Sequence, residues 1–410
     1  MDLTVLIFLL TYLAIAMGQV PFFRVDRTGA AVLGTIALIA TDRIGLKEAW
    51  DSVDFQTVAL LFGLMVVSSA FVVSGFYDWA AVRMASLKVG PRALLAVFIA
   101  VSGGLSSVLT NDVVAVAMTP LLVQITLSRG LNPVPFLLGF CFAANTVSSG
   151  TLIGSPQNMI IAGGLHLSFP AFLKIALAPS LLTMPIVWAV ISFLYRGRWQ
   201  LEGRAAAPAA PAAPGAVAFD KLETAKAGLV TLALVAAFMF TGWPHAIVAL
   251  TAAGILLLNR RIESKDFMKH VDGDLLLLLF ALFVINAALA KTGLPADLIE
   301  DLAAAGFDLN APLTMFLTLA AISDLVGNNP AVMLVMPYVH PTNPEALGAA
   351  MALGSGFSSN FVVFGSLAGI IVVQAAGQHG IRIPFSEFTR AGAATTVLCL
   401  GLAAAWIALL

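Results

Sequence analysis

The chain has 410 residues, of which 60% are hydrophobic and only 10% are charged, and its mean hydropathy is +0.97. Soluble domains carry roughly 25% charged residues, so this composition excludes a soluble protein and predicts an all-α polytopic membrane protein. The net charge of −1 and the two separated cysteines give no sign of a nucleic-acid partner, a disulfide framework or a metal site.

In the first half, residues 1–200, apolar runs predict helices at about 3–18, 28–41, 55–74, 93–109, 112–128, 134–164 and 171–195. The legs of the pair at 93–128 are joined by a short polar stretch. We therefore expect a re-entrant hairpin that enters and leaves on one side of the membrane. Residues 134–164 are interrupted near Gly150 to Asn158, which predicts a broken helix.

Residues 201–220 are rich in Ala and Pro without periodicity, so they predict an extended cytoplasmic linker. The second half, residues 221–410, has apolar runs at about 225–242, 244–258, 273–291, 312–326, 328–340, 346–376 and 392–410. The pair at 312–340 predicts a second hairpin. The run at 346–376 predicts a second broken helix, with its break near Gly365.

The two halves repeat one pattern at a nearly constant spacing. The matching positions are Asp54 and Asp272 (offset 218), Asn111 and Asn328 (offset 217), and Gly154 and Gly365 (offset 211). We therefore predict two repeats, each with five spanning helices, one of them broken, and one re-entrant hairpin.

Basic residues favour inverted repeats, because lysine and arginine accumulate on the cytoplasmic side. With five crossings per half and both termini outside, 17 of the 21 basic residues lie inside. With six crossings the halves run parallel, which moves Arg260, Arg261, Lys265 and Lys269 outside. Inverted repeats are a common plan of secondary transporters, whose binding site lies at the membrane midplane on broken helices.

The hairpin tips, Ser106–Asp112 and Ser323–Asn329, carry the most costly polar residues. Polar groups inside apolar segments usually face a cavity or pathway, although capping of helix ends is the alternative. We expect the amides and hydroxyls of the tips and breaks to bind substrate. These candidates are Asn111, Asp112, Asn145, Thr146, Ser149, Asn328, Asn329, Ser359 and Asn360.

Coupling of transport to protons or ions is predicted for the acids and for the Gly-Ser breaks, whose unwound backbone exposes carbonyls to a small cation. These candidates are Asp112, Asp324, Thr110, Gly154, Ser155, Asn158, Gly365 and Ser366. A carboxylate held away from water binds a proton more readily, so Asp112 is the candidate proton carrier. We expect no cofactor, no resident metal and no catalytic residue.

Four motifs resemble the ion transporter superfamily of arsenite permeases, sodium/proton antiporters and citrate or dicarboxylate carriers. Thr110-Asn111-Asp112 resembles the first hairpin of the arsenite permeases, Asn328-Asn329-Pro330 their second hairpin, and Gly365-Ser366-Leu367-Ala368 their second break. Ile153–Asn158 is instead closer to the Gly-x-Pro-x-Asn break of the dicarboxylate branch. The Ser-Asn-Thr signature of sodium-coupled dicarboxylate carriers is absent from both hairpins.

The resemblance implies a transport domain that moves against a scaffold, by an elevator mechanism, in the cytoplasmic membrane of a bacterium or archaeon. It also implies a homodimer and leaves open a cytosolic ATPase subunit, since the chain has no phosphate-binding loop of its own. The expected partners are thus the lipid bilayer and a small inorganic or organic solute.

The leading functional hypothesis is proton-coupled efflux of arsenite or antimonite by alternating access, with Asp112 exchanging the proton. The predicted midplane has amides, hydroxyls and one acid but no Arg or Lys, which suits an uncharged polyhydroxylated solute. The alternatives are a sodium-coupled dicarboxylate or other anion carrier with Na⁺ as coupling ion, and a sodium/proton antiporter.

Overall fold

The computed structural model describes residues 2–18, 23–201 and 218–409. The fold is all-helical as predicted: 77% of the structure is helix and its described residues contain no strand. An isolated bridge pairs Leu131 with Gln200. The predicted linker at 201–220 lies outside the described residues except at its two ends.

Ten helices make up the described part of the first half. They are α1 (Leu3–Met17), α2 (Arg27–Ala40), α3 (Leu46–Asp51), α4 (Phe55–Val73), α5 (Phe76–Ala85), α6 (Pro91–Val108), α7 (Asn111–Ser128), α8 (Pro133–Ser148), α9 (Pro156–Gly164) and α10 (Phe169–Leu194).

Ten further helices make up the described part of the second half, together with short 3-10 turns at Met336–Tyr338 and Val363–Gly365. They are α11 (Lys221–Phe240), α12 (His245–Leu257), α13 (Ser264–Met268), α14 (Gly273–Ala290), α15 (Leu294–Ala304), α16 (Pro312–Val326), α17 (Asn328–Val335), α18 (Pro344–Ser358), α19 (Leu367–Gln378) and α20 (Phe385–Ile407).

The same order of long and short helices therefore occurs twice. The short helices α3, α5, α13 and α15 lie outside the long apolar runs from which helices were predicted. α5 and α15 each begin after a glycine in the left-handed region, Gly75 with φ 71° and Gly293 with φ 73°. A residue without Cβ adopts this conformation at little cost, so the chain turns sharply at the end of α4 and of α14.

Seven of the described helices are long and apolar enough to cross a membrane, judged by length and composition. They are α4, α6, α7, α10, α11, α14 and α20. Six shorter apolar helices of 10–17 residues accompany them. Helix lengths of this kind are expected of a multi-pass protein with tilted, broken and re-entrant segments.

Four interruptions separate pairs of helices in the two halves. The hairpin tips are the turns between α6 and α7 and between α16 and α17, and the breaks separate α8 from α9 and α18 from α19. The second hairpin differs in one respect. Its return leg was expected to reach residue 340, but α17 ends at Val335, just before Pro337, whose nitrogen cannot donate a helical hydrogen bond.

Each helix pair described here has a counterpart formed by the matching helices of the other half. α4 packs on α12, and its counterpart α14 packs on α2, while α6 packs on α8 as α16 does on α18. The contact between α4 and α12 is close enough to need a glycine. A Cβ added at Gly63 would lie 2.7 Å from the main-chain carbon of Ala249.

Replacing Gly63 by Val should therefore force α4 and α12 apart and lower the stability of the fold by about 1–3 kcal/mol. Thermal unfolding of the purified protein in detergent measures the loss as a lower Tm. Gly254→Val is the matched control, because nothing lies within 4 Å of a Cβ at this exposed position of α12. Equal melting of the two variants would contradict this account of the packing.

Candidate functional site

Both hairpin tips and the second break line one cavity of about 560 Å³, here called the site cavity. Six of the residues predicted for substrate or ion binding border it: Asn111, Asp112, Asn328, Asn329, Gly365 and Ser366. Its other walls come from the end of α1 and the starts of α2, α9, α14 and α19. The tertiary structure thus brings together residues that lie more than 200 positions apart in the sequence.

The site cavity is acidic. Among the described residues, four carboxylates line it, those of Asp26, Asp112, Asp272 and Asp274, together with one guanidinium, that of Arg27. Asp26 and Asp272 also cap helices, since their Oδ1 atoms accept from the backbone N–H of Gly29 at 2.8 Å and of Leu275 at 2.9 Å. The described lining therefore contains more carboxyl groups than basic groups.

Arg27 lines the site cavity but was not among the predicted site residues. Its Nη2 donates to the Phe364 carbonyl at 3.1 Å, so α2 is joined to the second break. A Cβ on Gly327, at the second tip, would lie 3.5 Å from the Arg27 Nη1. The available signal was the position of Arg27 as the first residue of an apolar helix, directly after the capping residue Asp26.

The first tip is held against the first break by hydrogen bonds. The backbone N–H of Asn111 donates to the Gly154 carbonyl at 3.0 Å. Asn158 Nδ2 donates to the carbonyls of Ser148 and Thr151, at 3.0 and 2.7 Å. Because a Cβ at Gly154 would lie 2.7 Å from the Ser106 carbonyl oxygen, only glycine allows this approach. Gly154 and Asn158 therefore shape the tip rather than line the cavity.

The second tip is held by Asn328. Its hydrogen bonds are satisfied when Nδ2 donates to the carbonyls of Ser355 and Gly365, at 3.2 and 3.1 Å, and Oδ1 accepts from Ser359 Oγ at 2.8 Å. Asp324 lies behind this break, since a Cβ at Gly365 would be 2.8 Å from its Oδ1. The predicted residues Asp324 and Ser359 thus contact the tip and the break without lining the cavity.

A buried amide pair joins the two breaks. Asn145 Nδ2 donates to Asn360 Oδ1 and to Ser366 Oγ, both at 2.9 Å, and Asn360 Nδ2 donates to the Phe142 carbonyl at 3.2 Å. Asn145 and Asn360 do not line the site cavity, and neither do the predicted residues Thr146 and Ser149. In this conformation their polar groups bond to α8 and its neighbours.

Several buried oxygens at the tips and breaks have no hydrogen-bond partner within the described residues. On the first tip and break they are Ser106 Oγ, Thr110 Oγ1, Asn111 Oδ1, Ser155 Oγ and Asn158 Oδ1. On the second hairpin they are Ser323 Oγ, Asp324 Oδ1 and Asn329 Oδ1. Unpaired oxygens are the donors that a hard cation prefers, and leaving each one unpaired costs about 1–3 kcal/mol. No group of three or more His, Cys, Asp or Glu within the described ranges could hold a metal ion.

Comparison with known proteins agrees with this architecture. Residues 12–354 match the CitMHS family, described as citrate transporters. The chain belongs to this family. It is 28% identical to a 46 kDa membrane protein of Mycobacterium leprae over 424 residues, covering 99% of this chain and 97% of that protein. It is 33% identical to the silicon efflux transporter LSI3 of Oryza sativa subsp. japonica over 191 residues, which cover 46% of this chain and 39% of the rice protein.

Among solved structures, the chain is similar to MtrF of Neisseria gonorrhoeae, which is described as illuminating a class of antimetabolite efflux pumps. The TM-score is 0.62 at 12% sequence identity, with 99% of this chain and 93% of MtrF covered. This likeness shows a shared fold. Membership of the CitMHS family shows that the chain is a membrane transporter, and its apolar helices make it a multi-pass protein.

Asn145→Ala should destabilise the contact between the two breaks, because it leaves the oxygens of Asn360 and Ser366 without this donor. Leaving a buried polar group unpaired costs about 1–3 kcal/mol, so the Tm of the variant should fall. Cys141→Ala is the control on the same helix, since the Cys141 sulfur lies 4.0 Å from Asn145 Nδ2 and accepts at most a weak bond. If both variants melt alike, the amide bridge does not hold the breaks together.

Proposed function

We propose that the protein is a secondary carrier that exports small uncharged oxyacids of the arsenite and antimonite type in exchange for protons. The charge of the site cavity carries the proposal: four carboxylates face one guanidinium. A multiply charged anion entering this cavity is repelled by the carboxylates, whereas an uncharged solute pays no such cost. Amides and hydroxyls at both tips offer the donors and acceptors that a polyhydroxylated solute needs.

The rice relative supports an uncharged solute. Its name states efflux of silicon, and dissolved silicon at neutral pH is silicic acid, an uncharged molecule with several hydroxyl groups like arsenious acid. The shared region covers about half of this chain, so the likeness supports the class of solute rather than its identity.

Asp112 is the proposed proton carrier. It lines the site cavity directly after Asn111, whereas the matching position of the other half is the uncharged Asn329. In the proposed cycle, Asp112 is protonated while the cavity faces one side of the membrane, and it releases its proton when the cavity faces the other side. The amide at the matching position cannot do so, so the two tips differ at this position.

Inverted halves are a common basis of alternating access, and one ion pair supports this arrangement. Lys291, just after α14, pairs with Glu48 at 2.8 Å, and Glu48 lies shortly before the start of α4. The end of α14 therefore meets the start of its counterpart α4, as inversion requires. We propose that the hairpins and broken helices move together against α1–α4 and α11–α14, in an elevator mechanism at the cytoplasmic membrane.

Everted vesicles that contain the protein should accumulate arsenite or antimonite when a proton gradient is imposed, acid inside, and should lose this uptake when the gradient is collapsed. Uptake is followed by elemental analysis of filtered vesicles, with vesicles lacking the protein as the baseline. The absence of metalloid uptake under every gradient would refute the proposed solute.

Asp112→Asn should abolish the proton dependence of uptake, lowering gradient-driven transport by at least about tenfold, because the amide cannot carry a proton. Asp274→Asn is the matched control, since Asp274 lines the same cavity but is exposed at the start of α14. We expect this control to retain the gradient response, and Asp112→Glu to restore part of it. Identical losses in both Asn variants would assign the effect to cavity charge instead of to Asp112.

A sodium-coupled carrier of citrate or a dicarboxylate is the second candidate. The family match favours it, and so does Arg27, which could pair with one carboxylate of the substrate. The unpaired oxygens at both hairpins are suitable sodium ligands. The acidic lining of the cavity is the observation against it.

This candidate predicts sodium-dependent uptake of radiolabelled citrate or succinate into vesicles. Arg27→Gln should lower that uptake by at least about tenfold, because it removes the only guanidinium among the described lining residues. Arg27→Lys tests whether charge alone suffices. The same substitutions should change metalloid transport far less, so the two candidates separate on one set of variants.

A further inference from the structure

A second cavity of about 630 Å³ lies between the start of α4, the turn from α9 to α10 and the turn from α11 to α12. The function proposed above does not use it. Neither hairpin tip lines it. Its described lining also contains no Asp, Glu, Lys or Arg, so it differs sharply in charge from the site cavity. His166 and His245 are the titratable side chains that face it.

The walls of the two cavities correspond position by position. Gln56, Thr57 and Leu60 line the second cavity, and the residues 218 positions later, Asp274, Leu275 and Leu278, line the site cavity. Gly163 and Gln374 correspond in the same way at an offset of 211. The second cavity is therefore the counterpart of the site cavity under exchange of the two halves.

His245 occupies the position of Arg27 in this correspondence. Both are the first residue of their helix, α12 and α2, and they are 218 positions apart. Arg27 donates to the carbonyl of Phe364 at the second break, whose counterpart at the first break is Ile153. The ring of His245 now lies on Phe238, with 4.6 Å between ring centroids.

The two cavities differ in how far they are open toward the tips. α9 packs on α4, and a Cβ on Gly163 would collide with Thr57 Oγ1, so the second cavity is closed at its inner end. The counterparts of these two helices, α19 and α14, are not among the closely packed helix pairs of the described residues, and Gln374, the counterpart of Gly163, is exposed. One half is thus in a closed arrangement while the other is in an open one.

We propose that the second cavity is the vestibule through which the site opens to the opposite face of the membrane, and that His245 stabilises that state by donating to the Ile153 carbonyl. In this state the two halves have exchanged their arrangements: α9 has moved away from α4, and α19 packs on α14. The proposal rests on the alternating-access carrier proposed above, but not on the identity of its solute. An uncharged vestibule adds no electrostatic barrier for an uncharged solute.

Site-directed labelling tests the vestibule. Gln56→Cys and Gln374→Cys are made singly in a background with Cys141→Ala and Cys399→Ala, and each is treated with a membrane-impermeant maleimide in right-side-out and in everted vesicles. Both glutamines are exposed, one in each cavity. We expect the two cysteines to react from opposite faces. Reaction of both from the same face would overturn the proposal, and this outcome does not depend on which solute is carried.

Reciprocal variants test His245. His245→Leu should lower labelling of a third probe, Thr57→Cys, whose position is buried in the present state, and raise labelling of Gln374→Cys. The ratio of the two rates should change by about fivefold, the effect of losing one hydrogen bond that only one state contains. Arg27→Leu should shift both rates in the opposite direction, and His245→Gln, which keeps a donor, should restore the original ratio. A purely structural role for His245 would change both rates together, and that result would overturn its assignment.

Discussion

Four interruptions of helical hydrogen bonding lie inside an apolar bundle, and backbone groups there must find partners because lipid offers none. The chain meets this requirement with amide side chains and close backbone contacts. Asn158 donates to two carbonyls at the first break, and Asn328 donates to the carbonyls of Ser355 and Gly365 at the second. Gly154 and Gly365 allow the tips to approach the breaks closely enough for these bonds to form.

The same constraint explains why the site lies where it does. Helix ends at the tips leave polar groups that the bundle satisfies only in part, and the site cavity forms where both tips and one break meet. The two halves provide this scaffold almost symmetrically. Their chemistry is not symmetric, because Asp112 is matched by Asn329, and Asp324 by Ser107. A site made from two unequal tips can bind a neutral group at one and exchange a proton at the other.

The amide bridge between Asn145 and Asn360 connects the halves at the centre of the bundle. It is completely buried, so its contribution is to keep the two breaks at a fixed distance rather than to contact a solute in this conformation. Arg27 is a second connection of a different kind, since it joins α2 to the second break at the edge of the site cavity. In the proposed mechanism the Asn145–Asn360 bridge joins two elements that move together. Arg27 instead joins the second break, which moves, to α2, which does not.

The sequence by itself determined the all-helical membrane fold, because apolar run length is a local property of the chain. It also predicted a duplication from the repeat spacing and four interruptions from Gly, Pro and Asn at the breaks. It also identified six residues of the site cavity. Only the tertiary structure decided that Asn145 and Asn360 bind each other, and that Arg27, Asp26, Asp272 and Asp274 join the cavity. The physical reason is that the charge and exposure of a site depend on which helix starts meet in space, and no local pattern specifies that meeting.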